Sequence, residues 1–290
     1  MRILVTGASG FVGRRFVEMY SGRHDLFALV RSPGPDLAGV EWIVHDLVDP
    51  LDEAGLPERL DAVAHLAQSR RYRDFPDGAR DVFDVNVRST LGLLEYARLA
   101  GARSFVFTSS GGVYGYSYER FAETEPVSPL NFYLSSKYSA ELLIANYQRF
   151  FSTVVLRPFF VYGPGQDRML IPTLIDRVTA GEVVTVEGAR GLRITPTYVD
   201  DVVRALEPAL HFSGAGLFNV AGDEAVTITE LVELIGVATG REPRVEHAPQ
   251  ESGGDLLGDN TQMREVLGVV PEVDLRDGLA RTIASRLSTA

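Results

Sequence analysis

Tyr133 and Lys137, four residues apart in the run Tyr133-Leu134-Ser135-Ser136-Lys137, form a pair that could move a proton. On a helix this spacing sets phenol and ammonium on one face. A free tyrosine titrates at about 10, too high for a base near neutrality, but a neighbouring cation favours the phenolate. Such a pair can take a proton from a secondary alcohol as hydride leaves, or return one to a ketone. Tyr-x-x-x-Lys alone mostly marks an exposed helix face. Composition singles this one out: among 28 Lys and Arg residues, Lys137 is the only lysine. A guanidinium stays protonated and cannot relay a proton, whereas surroundings can tune an ammonium.

A hydroxyl for the same chemistry follows the apolar run Ser104–Thr108, in Ser109-Ser110-Gly111-Gly112. At the carboxyl end of a strand it can hydrogen-bond the substrate oxygen on which charge changes. Ser110 suits that role and Ser109 a turn-forming one, a fate common to serines in loops. Gly111 and Gly112 would leave room for a ring to rotate.

Those groups need a cofactor, and the start of the chain offers a cradle for one. Ile3-Leu4-Val5 reads as a buried strand, Phe11 to Tyr20 as a helix, and Gly7, Gly10 and Gly13 punctuate the junction. Glycines there allow a tight turn, a close approach to a pyrophosphate and close packing of helix on strand. The helix start offers unpaired N–H groups and a positive dipole end to the anion.

The elements that must position these residues alternate. Leu26–Val30, Glu41–His45, Ala62–Leu66, Ser104–Thr108 and Thr153–Leu156 read as strands, and Asp81–Ala100 and Phe132–Phe150 as helices. Strand-helix alternation predicts α/β architecture, a Rossmann-type doubly wound parallel sheet with a smaller C-terminal substrate-binding lobe. Residues 1–165, with a return segment at about 193–221, are expected to form the dinucleotide-binding domain; 166–192 and 222–290 form the smaller lobe.

At 290 residues and 45% hydrophobic content, the chain can bury a large core. A net charge of -11 argues against a nucleic-acid surface. No apolar run reaches membrane-spanning length. The absence of cysteine excludes disulfides and thiolate metal sites. No metal site is expected, and with a first strand at the very start the expected location is the cytoplasm.

The chain resembles the extended short-chain dehydrogenase/reductase family over residues 1 to about 285. TGASGFVG, from Thr6 to Gly13, is similar to its TGxxGxxG fingerprint, and His65-Leu66-Ala67 to its fourth-strand signature. SSGGVYG (Ser109 to Gly115), YLSSK (Tyr133 to Lys137) and LRPFFVYGPG (Leu156 to Gly165) follow in the family's order, as do TYVDDVVRAL, FNVAGDEAVTITEL and DNTQMREVLG. The resemblance implies hydride transfer, with Ser110, Tyr133 and Lys137 catalytic. It implies cofactor contacts from Gly7, Gly10, Phe11, Val12, Arg31, Asp46, Leu47, Leu66, Ala67, Gln68, Tyr133, Lys137 and Pro158. Substrate contacts fall to Gly111, Gly112, Phe160 and Arg193. The implied substrate is a nucleotide-diphosphate sugar, and a homodimer stays open.

Four departures refine that picture. Where NAD-using members carry an acid for the ribose hydroxyls, this chain has Arg31-Ser32; an arginine can pair with a 2′-phosphate, so NADP is expected before NAD. Phe160 stands where sugar-nucleotide epimerases usually show Asn. Arg193 lies one place earlier than the commonest epimerase spacing. The Thr-Asp-Glu pattern of 4,6-dehydratases is missing at Ser110-Gly111-Gly112, which disfavours dehydration. A nucleotide-sugar 4-epimerase therefore leads. The alternatives are an NADPH-dependent 4-ketoreductase of a nucleotide sugar and an NADPH ketoreductase of a less polar metabolite. A non-catalytic cofactor sensor is disfavoured by the intact Tyr133 and Lys137.

Overall fold

The computed structural model describes residues 1–250 and 253–288. In chain order it contains β1 (Arg2–Thr6), α1 (Phe11–Tyr20), β2 (Asp25–Val30), β3 (Val40–Val44), β4 (Ala62–His65), α2 (Ala79–Phe83), α3 (Ser89–Leu99) and β5 (Ser104–Thr108). There follow β6 (Arg120–Phe121), α4 (Phe132–Ala145), β7 (Ser152–Pro158), β8 (Val161–Tyr162), α5 (Leu170–Ala180), β9 (Val183–Glu187), β10 (Arg193–Ile194) and β11 (Thr197–Tyr198). Last come α6 (Val199–His211), β12 (Ala215–Val220), β13 (Val226–Thr227), α7 (Ile228–Thr239), β14 (Arg244–Ala248), β15 (Leu257–Gly258), α8 (Thr261–Glu265) and α9 (Leu275–Leu287). None of the helices among the described residues is long and apolar enough to cross a membrane.

The chain divides into two compact units. The first comprises Met1–Val113, Val127–Arg157 and Val203–Phe218; the second comprises Tyr114–Pro126, Pro158–Val202 and Asn219–Ala290. Of the expected dinucleotide-binding domain, 1–165 with 193–221, segments 114–126, 158–165, 193–202 and 219–221 fall in the second unit. The reason is local pairing. After β5 and β7 the chain leaves the large sheet and builds short ladders, β15 with β6 and β11 with β8, wholly inside the second unit. That unit also pairs β10 with β13 and β14 with β9. Its α7 is closed by a capping box between Thr227 and Glu230 and ends at Gly240 in the left-handed conformation.

The first unit carries the expected Rossmann sheet. Seven strands run in the order β12-β7-β5-β4-β1-β2-β3, with parallel pairing throughout the ladders from β3 to β7. β4 and β5 are buried along their whole length, as helices on both faces of a parallel sheet require. α1 buries Gly13, Phe16, Val17 and Tyr20, one stripe at helical spacing. Leu4, Val63, Phe105 and Phe107 of the sheet pack with Leu93, Leu94 and Ala97 of α3 and with Ala140 and Ile144 of α4.

The helix expected over Asp81–Ala100 is helical throughout but not uniform: a π-helical turn at Asp84–Arg88 separates α2 from α3. Ser89 and Thr90 donate their hydroxyls to the carbonyls of Val85 and Asn86 at 2.6 and 2.7 Å. Such back-bonding competes with the regular ladder and loosens the turn. Its result is that Val85 and Asn86 both face inward. The second long helix is capped at its start by the Asn131 side chain on the Leu134 N–H and stops at Ala145, short of the expected Phe150.

Candidate active site

β1 and β4 are neighbours in the sheet, and from them the strand order runs in opposite directions, to β2 and to β5; the carboxyl ends at such a switch point are the usual ligand position in sheets of this kind. Gly7 turns there with φ +69; a Cβ on it would lie 2.7 Å from the Ala67 backbone. Gly13 brings α1 hard against that turn, since its Cβ would meet the Gly7 carbonyl oxygen at 2.1 Å. The Gly10 N–H donates to the Gly7 carbonyl at 2.8 Å. The α1 N-terminus has neither a side-chain cap nor an acidic residue in its first turn. Its donors therefore suit a pyrophosphate, and the residues present fit a dinucleotide.

The other candidate cofactor residues sit at the same strand ends. Leu66, Ala67 and Gln68 follow β4, and the Leu66 N–H donates to the Thr6 carbonyl. Arg31 follows β2 and is exposed. Asp46 follows β3 and closes a turn by accepting the Val48 N–H at 3.2 Å. Leu47 beside it is buried in the hydrophobic core. Phe11 and Val12 open α1, half-buried. Pro158, Phe160 and Arg193 belong to the second unit.

Lys137 is buried on α4, 1% exposed. Its Nζ donates to the Thr108 carbonyl at 2.9 Å and the Ala67 carbonyl at 3.4 Å, and stands over the Phe107 ring. Burial pulls its pKa down to about 7, with Glu141 opposing. The lone lysine can thus gain or lose a proton near neutrality. Half-buried Tyr133 donates its hydroxyl to Gln68 Oε1 at 2.8 Å, its ring 5.1 Å from that of Tyr72. Its pKa lies above the ordinary tyrosine value, through burial first and Tyr72 second. Burial thus works against the phenolate that the spacing alone favours. Ser110 follows β5 and accepts the Gly112 N–H at 3.2 Å. Gly112 is small for a packing reason too: a Cβ there would lie 2.9 Å from the Leu134 side chain. Ser109 is the structural serine, donating to the Glu141 carboxylate.

Histidine at the end of β4 is locked neutral. Thr90 already gives its proton to Asn86, so it accepts from His65 Nε2 at 3.0 Å; Thr6 accepts from the Ala67 N–H and donates to Nδ1 at 2.7 Å. Burial, then the Lys137 charge, lowers the His65 pKa to about 3.

Residues 3–221 match the NAD dependent epimerase/dehydratase family. The chain belongs to that family. It is 33% identical to a UDP-glucose 4-epimerase of Mycolicibacterium smegmatis, covering 98% of this chain and 97% of the relative. It is 34% identical to a dTDP-glucose 4,6-dehydratase of Streptomyces griseus, over 97% and 93%. Among solved structures, MoeE5 in complex with UDP-glucose and NAD is similar at TM-score 0.86 and 30% identity, over 100% of both chains. The UDP-glucose 4-epimerase of Thermotoga maritima with UDP-glucose gives 0.87 and 27%, over 100% and 99%. The protein is accordingly an enzyme of the extended short-chain dehydrogenase/reductase type.

Three residues that sequence reasoning passed over lie around Tyr133 and Lys137. Asn86, 1% exposed, accepts the Ser69 N–H at 2.9 Å and donates to Ser136 Oγ at 2.9 Å, and Ser136 donates to the Tyr133 carbonyl at 2.6 Å. A polar Asn on the core stripe of a helix was its only signal. Glu141 follows Lys137 by one turn and forms a buried pair with Arg157, with Nε to Oε1 at 3.1 Å and Nη2 to Oε2 at 2.5 Å. Tyr72 reaches Tyr133 from a loop no pattern marks. In the second unit, Phe160 takes φ 39, a left-handed conformation that a bulky side chain tolerates poorly.

Proposed function

We propose that the chain is a nucleotide-sugar 4-epimerase whose proton chemistry is run by Tyr133 and Lys137. One observation carries this: the only lysine is buried one turn beyond the tyrosine and anchored to the carbonyls of Ala67 and Thr108, with a pKa of about 7. A nicotinamide dinucleotide would supply reversible hydride exchange at the sugar carbon, one hydride taken and then given back. The chain's own residues do the rest. Tyr133 Oη takes the proton of the substrate hydroxyl and returns it to the ketone oxygen, and Lys137 stabilises the phenolate. The Ser110 hydroxyl donates to the same substrate oxygen. The turn at Gly7 and the α1 N-terminus hold the pyrophosphate. In the second unit, Arg193 is exposed, its backbone N–H donates to Asp255 Oδ1 at 3.0 Å and its charge acts on Glu230; its guanidinium is the kind of group that binds a diphosphate.

The test is turnover of UDP- and dTDP-hexoses with products resolved by configuration at C4. Arg193→Ala is expected to raise KM about tenfold or more, the scale of a lost charge-assisted hydrogen bond, while cofactor affinity stays unchanged. A panel in which no nucleotide sugar turns over and a non-nucleotide ketone does would overturn the proposal.

One observation favours a second reading, an NADPH-dependent 4-ketoreductase. Arg31 is exposed and without an ion pair among the described residues, at the strand end where an acid would exclude a 2′-phosphate. Calorimetric titration is expected to show tighter NADP than NAD binding, with the preference lost in Arg31→Ala. Equal or tighter NAD binding, unaltered by that substitution, removes both the preference and the reading built on it.

A further inference from the structure

The Tyr133 hydroxyl spends its hydrogen bond on Gln68, and Gln68 is held where it is from both sides. On one side, Ala67 gives its N–H to Thr6 Oγ1 at 3.3 Å and its carbonyl to Lys137 Nζ at 3.4 Å. On the other, Ser69 gives its N–H to buried Asn86, which reaches through Ser136 to the Tyr133 carbonyl. Ser69 is further tied by its hydroxyl to Asp81 and by the Arg71 N–H at 3.0 Å. The exposed glutamine side chain therefore springs from a backbone locked to the helix that carries the tyrosine and the lysine.

We propose that Gln68 is a positioning residue that sets the protonation balance of Tyr133. Its Oε1 accepts from the neutral phenol and so holds Tyr133 as a proton donor. After the proton has gone to the substrate oxygen, rotation of the amide presents Nε2–H to the phenolate, and the same side chain serves both states. The loop's other charged or ionisable neighbours are Arg70, Arg71 paired with Asp74, Tyr72, whose ring packs on Tyr133, Arg73 over the Tyr72 ring, and Asp81, which accepts the Ser69 hydroxyl. Lys137 stands one turn along the helix from Tyr133, with Glu141 beyond it, and His65 lies on β4. Gln68 is the neutral group among them that bonds the phenol oxygen. This inference rests on the assignment of Tyr133 as the acid/base.

The experiment combines two readouts on the full chain. Tyrosine is labelled with ¹³C at Cζ, and the Tyr133 signal is identified by its loss in Tyr133→Phe; its titration is followed without ligand. In parallel, the pH dependence of kcat is measured on UDP-glucose and UDP-galactose with cofactor bound. Gln68→Lys is expected to lower the Tyr133 midpoint and its kinetic limb by about one pH unit or more, the usual effect of a new neighbouring cation. Gln68→Glu is expected to raise both, and Gln68→Met to shift the signal without adding charge. Wild-type signal, midpoint and limb in the Lys and Met variants together would overturn the inference. If Tyr133→Phe abolishes turnover in that case, only the role of Gln68 falls. If Tyr133→Phe turns over at the wild-type rate, the acid/base assignment itself falls.

Discussion

Tyr133→Phe should lower kcat by about 10²-fold or more, while substrate and cofactor still bind. The substitution removes the transferable proton and the hydrogen bond to Gln68 but keeps the ring that packs on Tyr72. A fall of that size is about 2.7 kcal/mol of barrier, within the span general acid–base groups supply. Lys137→Arg should fall comparably for a different reason. The guanidinium keeps its charge at every working pH, whereas the native ammonium is poised at about 7. It is also a planar fork, forced into a site 1% exposed and shaped for one nitrogen between two carbonyls. Lys137→Met, of similar length and uncharged, separates lost packing from lost charge. Single-turnover hydride transfer, read by nicotinamide absorbance, isolates the chemical step. Wild-type rates in Tyr133→Phe would make Ser110 or a bound water the next candidate for the base. Wild-type rates in Lys137→Arg would reduce the lone lysine to an accident of composition.

The second large effect concerns the support under that lysine. Glu141→Leu should destabilise the fold by about 3–5 kcal/mol, because it removes the carboxylate from a buried ion pair with Arg157 and leaves Ser109 without its acceptor. Both members of the pair are buried, at 3% and 7% side-chain exposure, so solvent does not screen the loss. Adding Arg157→Met to the same chain should recover much of the stability, since an apolar pair of similar volume removes the remaining buried charge. Urea unfolding reads the result as a shift in midpoint at constant slope. If the single variant shifts stability by less than about 1 kcal/mol, the pair is not what holds α4 against β7. The recovered double variant carries a further expectation: without Glu141, which opposes the effect of burial on Lys137, the lysine pKa falls further below its ordinary value.

How much of this was legible beforehand depended on how local each signal was. The glycine turn, α1 over Phe11–Tyr20 and β5 over Ser104–Thr108 lie where the apolar pattern placed them, because strand and helix periodicity are properties of neighbouring residues. Membership of the epimerase/dehydratase family was legible for the same reason: its motifs are short runs in fixed order. That Tyr133 and Lys137 share one helix needed only helical spacing. Other features were out of reach. The π-helical turn at Asp84–Arg88 arises from hydroxyls of Ser89 and Thr90 competing for backbone carbonyls, and nothing in a hydropathy pattern registers that competition.

By itself, then, the sequence determined the parallel α/β architecture and the family, and it supplied the candidates for the dinucleotide turn and the proton-moving pair. Only the tertiary structure decided the charge states and the company those residues keep. The pKa of about 7 at Lys137 comes from burial against Ala67, Phe107 and Thr108, brought from two strands 29 and 70 residues distant along the chain. The partner of Tyr133 is Gln68, 65 residues away, positioned through Asn86 and Ser136. The neutrality of His65 comes from burial and the Lys137 charge, and the hydroxyls of Thr6 and Thr90 fix its tautomer. Desolvation and hydrogen bonding depend on which atoms surround a group in space, and a linear pattern of residue types carries no such distances.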